Sequence, residues 1–104
     1  MTAEALWDLW RNSMKRHARI TLRLSPNSLE LMKVMEITER VEDDAELTQI
    51  VERFFTLTPK EQQQHSIGAL TVGFLNMALP KLMAEHVSEQ AEGQKFLDRL
   101  NTYR

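Results

Sequence analysis

The sequence contains no cysteine, so neither a disulfide nor a thiolate metal site holds the chain together. That suits a reducing compartment. Glycine and proline are scarce, three of each, and Gly68, Gly73 and Gly93 are too scattered to form a phosphate-cradling loop. Aromatic residues make up 7% of the chain. Long hydrophobic runs are missing as well. The longest largely apolar stretch, Ile67 to Leu79, covers 13 residues, and a membrane span needs about 20. No apolar leader with a small-residue cleavage site is read at the start, so the expected location is the cytoplasm.

Catalytic patterns are missing too. His17, His65 and His86 lie far apart and make no H-E-x-x-H or comparable metal spacing. Glu42, Asp43 and Asp44 are consecutive, so they cannot share one helix face, and a solvated turn accounts for them. No serine sits in a nucleophile-elbow context. The sequence predicts a binding protein rather than an enzyme, with no cofactor and no metal.

What is present fits one domain. The 104 residues, 42% of them apolar, allow a single modest core. A core of that size gains from association, so a homodimer is expected, extending to a tetramer if the apolar C-terminal helices also pair. The net charge is −2 but unevenly placed. From Leu9 to Leu29 there is no acid, against Arg11, Lys15, Arg16, Arg19, Arg23 and His17. From Glu30 to Arg53 there are eight acids against Lys33, Arg40 and Arg53. Such asymmetry can steer a phosphate backbone, although a solvated basic helix end explains it equally well.

Periodicity predicts mostly helix. Leu6, Trp7, Trp10 and Met14 recur at three- and four-residue spacing within residues 1–18, an N-terminal helix. The segment Arg19 to Leu24 alternates polar and apolar. A strand over it would place Ile20, Leu22 and Leu24 on one face and Arg19, Thr21 and Arg23 on the other. Ser25 with Pro26 predicts a helix over 26–38, its apolar stripe carried by Leu29, Leu31, Met32, Val34 and Met35. Asp43 or Asp44 can cap the next helix, whose apolar face is Leu47, Ile50, Val51, Phe54 and Phe55. Thr58-Pro59-Lys60-Glu61 is a capping signature for a third main helix continuing through 67–79. Pro80 then kinks or restarts the helix. The last segment, Lys81 to about Tyr103, carries Leu82, Met83, Val87, Phe96, Leu97 and Leu100.

A lone strand leaves its backbone groups unpaired, and pairing with a second copy would satisfy them. Here the order of elements resembles the ribbon-helix-helix family of DNA-binding repressors. The strand falls at Arg19 to Leu24 and the strand-to-helix junction at Ser25-Pro26. Glu46-Leu47-Thr48-Gln49-Ile50-Val51 is similar to the E-L-x-Q-I-V run of that family's second helix. The resemblance covers about residues 19–55. It implies a ribbon-helix-helix dimer core at 19–56, flanked by the N-terminal helix and by a helical oligomerisation segment at 57–104. It also implies major-groove reading of double-stranded DNA by Arg19, Thr21 and Arg23. Lys15, Arg16 and His17, just before the strand, would contact phosphates. The expected function is a transcriptional repressor, or an accessory factor on plasmid or phage DNA. Where the family usually has a glycine turn and a serine or asparagine cap, this chain has Glu39 to Asp44, which would repel a phosphate.

The rival expectation is an all-α bundle in which Arg19 to Leu24 continues the first helix. The chain would then be an adaptor or inhibitor binding another protein through Trp7 and Trp10, since tryptophan is favoured at interface hot spots.

Overall fold

The structure is a computed structural model that describes residues 1–102, with side chains through Val87. Its elements are α1 (Ala3–Ser13), a π-helical turn (Met14–Ala18), α2 (Ser28–Arg40), α3 (Asp44–Thr56), α4 (Pro59–Gln64) and α5 (Val72–Thr102). Among the described residues there is no strand. The ribbon-helix-helix core is therefore corrected to an all-α bundle. The side chains of Phe96, Leu97 and Leu100, and residues 103–104 of the segment 57–104, lie outside what is described.

The predicted strand is replaced by a local helix stop and by a contact from a distant side chain. The first helix widens into the π turn and stops at Arg19, which adopts the left-handed conformation, φ 57° and ψ 33°. Its N–H donates to the Met14 carbonyl, and Ile20 N–H reaches the same oxygen at 3.3 Å. Residues 19–27 then cross the bundle without a ladder partner. The Trp7 indole Nε1–H donates to the Arg23 carbonyl at 3.2 Å, so a side chain takes a group that a ribbon would have paired. Of the three residues assigned to an inward face, only Leu22 packs on the core, while Ile20 and Leu24 are exposed. Nor does the segment continue the first helix.

Capping chemistry sets the helix starts. Asn27, not Ser25, caps α2: its side chain accepts from Glu30 N–H at 2.8 Å, and Glu30 Oε1 accepts from Asn27 N–H at 3.0 Å. Asp43 caps α3 by accepting from Glu46 N–H at 2.8 Å. Thr58 and Glu61 close the expected reciprocal box on α4. That helix ends early, however, rather than running through 67–79. Ser66 is left-handed at φ 57°. Ser66 N–H donates to the Gln63 carbonyl at 3.0 Å and Ile67 N–H to the Gln62 carbonyl at 2.8 Å. This is a Schellman stop with serine where glycine is usual. The chain re-enters helix at Val72, where Thr71 Oγ1 accepts from Phe74 N–H at 3.2 Å.

The core lies between α1, α2, α3 and α5. Trp7 and Trp10 are each 2% exposed. Trp10 packs 5.6 Å from Phe54 and 4.8 Å from Phe55, ring centre to ring centre. Val34 and Ile37 supply the buried face of α2. Val72, Leu75, Ala78, Leu79 and Leu82 supply that of α5, while Met77 on the same helix is exposed, so part of the stretch expected to drive oligomerisation packs into the chain's own core.

Pro80 does not restart α5. It lacks the N–H that would bond the carbonyl four residues back, that of Asn76. Arg40 supplies the donor instead: Nη1 lies 3.2 Å from the Asn76 carbonyl and 3.0 Å from its Oδ1. Asn76 Nδ2 in turn donates to Glu36 Oε2 at 2.6 Å. This clamp joins α2 to α5. Among the described residues no helix is long and apolar enough to cross a membrane.

Candidate functional site

The basic residues expected to touch DNA do not converge on one face. Arg16 and His17 turn towards α3, where Arg16 Nη2 lies 2.6 Å from Glu52 Oε2 and His17 Nε2 lies 2.9 Å from Glu52 Oε1. His17 also stacks on Phe55, with ring centres 5.5 Å apart and planes 11° apart. Arg23 pairs with Glu30, the capping carboxylate of α2. Lys15, Arg19 and Thr21 are exposed. Three of the six residues thus meet carboxylates from the acidic half of the sequence, so the charge asymmetry along the chain is partly cancelled in space. Trp7 and Trp10, the anchors of the rival reading, are buried and offer no ring face to a partner.

A second charged group ties the bundle together. Arg53 Nη2 lies 3.0 Å from Glu61 Oε2 and 3.7 Å from Glu85 Oε2. His65 Nε2 lies 2.9 Å from Glu85 Oε1. These contacts link α3, α4 and α5. The Glu61 carboxyl titrates below its ordinary range, first because the Thr58 N–H and hydroxyl hydrogen-bond it, then because Arg53 and His65 are near. Among the described residues no group of three His, Asp or Glu is placed to hold a metal.

The surface departs from an ordinary soluble one on α2. That helix has six large apolar residues among its 13 (Leu29, Leu31, Met32, Val34, Met35 and Ile37), more than one buried face accommodates. Only Val34 and Ile37 are buried. Ser28, Leu31, Met32, Met35 and Glu39 follow at helical spacing down the opposite face. Leu31, Met32 and Met35 are 40%, 56% and 46% exposed. Leu31 also borders a cleft of about 230 Å³ between α1 and the Leu24–Pro26 segment, walled by Glu4, Trp7, Asp8 and Leu24. Stripe and cleft are therefore continuous through Leu31. Sequence reading placed Leu29, Met32 and Met35 with Val34 in one core stripe; the overabundance of apolar positions was the available sign that some would face out.

These features define an all-helical fold among the described residues, with a contiguous exposed apolar stripe on α2 beside a cleft; Ile20, Met77 and Val87 are exposed elsewhere. Comparison with family models, with curated proteins and with solved structures returns no match.

Proposed function

We propose that this chain is a helical binding module that docks another protein on the exposed face of α2. The observation that carries the reading is the contiguous run of Leu31, Met32 and Met35, half exposed and merging with the cleft at Leu24. Scattered apolar side chains on a surface are ordinary, but a contiguous patch beside a groove marks an interaction site. Methionine suits this role because its unbranched, polarisable side chain adapts to its contacts. The DNA-binding expectation depended on a paired ribbon carrying Arg19, Thr21 and Arg23. One of the two reasons for expecting a homodimer was an unpaired strand, the other a modest core. With no strand among the described residues, the ribbon and the strand-paired dimer lose their support.

Met35→Glu tests the reading. Burying an unpartnered carboxylate in an interface costs several kcal/mol, so the partner that copurifies with the wild-type chain should be reduced at least about tenfold. Met35 is exposed in the free chain, so the melting temperature should hold. Undiminished copurification with an intact fold would remove the α2 face from the function.

A further inference from the structure

We infer that the α2 face and its cleft receive a basic amphipathic helix of the partner protein. The inference rests on the binding role proposed above and adds the chemistry of the occupant. Three observations carry it.

The first is charge. Glu4 and Asp8 line the cleft from α1 and both are exposed; Asp8 is paired with Arg11, so the rim charge at this end is that of Glu4. Glu39 ends the stripe on α2 and is exposed too. No lysine or arginine stands in the Ser28, Leu31, Met32, Met35, Glu39 series. The neighbouring cations are engaged: Arg11 lies 3.6 Å from Asp8, Arg23 pairs with Glu30, Lys33 lies 3.7 Å from Glu36, and Arg40, next to Glu39, turns to Asn76. An apolar strip with a carboxylate rim is complementary to apolar anchors flanked by lysine or arginine. The same rim repels phosphates, whether of nucleic acid or of an anionic lipid surface.

The second is the form of the site. Strand addition needs a sheet edge, and the described residues have none. A proline-rich ligand needs open aromatic faces, and Trp7, the one aromatic side chain in the cleft wall, is 2% exposed. An apolar stripe that borders a cleft fits helix-in-groove docking. The third is length. From Leu31 to Met35 the apolar stripe extends about 6 Å along the axis, roughly one turn, and the cleft with Leu24 and Pro26 continues it beyond Leu31. That gives room for the i, i+3 and i+4 anchors of a short amphipathic helix.

Two synthetic 18-residue peptides test this, with identical leucine faces and either lysine or glutamate on the flanks. Each is titrated into the full chain by fluorescence anisotropy at two salt concentrations, with backbone amide shifts recorded in parallel. The lysine peptide should bind at least about tenfold more tightly than the glutamate peptide, and more weakly at the higher salt. Shifts should centre on Leu24, Leu31, Met32 and Met35. Neutralising the rim with Glu4→Gln and Glu39→Gln should remove most of that preference while leaving the glutamate peptide no weaker. Equal binding of both peptides at this face would overturn the basic-helix inference and leave the binding role standing. Binding of neither peptide, with no shift on α2, would overturn both. Light scattering that shows a dimer broken by Met35→Glu would assign the face to a second copy and overturn the inference as well.

Discussion

Ser66 holds a left-handed conformation, φ 57°, that costs a residue with a Cβ roughly 1 kcal/mol or more. Its neighbours make the two hydrogen bonds that stop α4, so the strain is local and removable. Ser66→Gly should raise stability by about 0.5–1 kcal/mol, less whatever glycine's extra freedom gives the unfolded chain. A rise in the urea midpoint with unchanged slope checks it; a fall would mean that the serine side chain contributes something the backbone geometry does not show. Glu61 gives a pH-linked counterpart. Its folded carboxyl titrates below the unfolded value because Thr58 and Arg53 favour the charged form. The stabilisation is therefore fully present above the unfolded pKa, about 4.3, and is lost as pH falls through the lower folded value. Glu61→Gln should destabilise the protein at pH 7 and converge with wild type on acidification. A constant difference between the two across pH 7 to 3 would contradict the assignment.

At the scale of elements, the Arg40 bridge to Asn76 makes a sharper forecast than any single substitution. Arg40→Ala leaves the Asn76 carbonyl without the donor that Pro80 fails to provide, at a cost of about 1 kcal/mol. Pro80→Ala restores an N–H to α5, so Arg40→Ala should cost measurably less in that background. A double-mutant cycle in urea reads the coupling, and a coupling of zero would show that the guanidinium does not stand in for the missing amide. The elements themselves were unevenly legible. The face of α1, the Asp43 cap of α3 and the Thr58–Glu61 box of α4 follow from local chemistry, and the structure has all three. Arg19 to Leu24 misled because six alternating residues satisfy a strand pattern without requiring one. What decided the segment was the indole of Trp7, far off in sequence, taking the Arg23 carbonyl. The stop after Gln64 was hidden for a related reason: a left-handed serine carries no glycine signal.

For the whole molecule, the decisive partition is between apolar groups that fill the core and apolar groups left outside. The tryptophans went inside, with Val72, Leu75, Ala78 and Leu79 of α5, which took away the sequence's candidates for an interface with another protein. Glu52 and Glu30 took up Arg16, His17 and Arg23 of the basic stretch. The apolar surplus of α2 remained outside, a surface no motif had singled out, because which side of a doubly apolar helix faces inward depends on where α1 and α5 pack. The central claim is that this side of α2 is where the protein works. The most direct measurement places a photo-crosslinking amino acid at Met32 and, as a control, at exposed Gln63 on α4, in the cells that make the protein. The account predicts one discrete adduct, heavier than the chain by a partner protein, from Met32 and none from Gln63. Adducts equal at both positions, or absent from Met32 while Gln63 yields one, would contradict it.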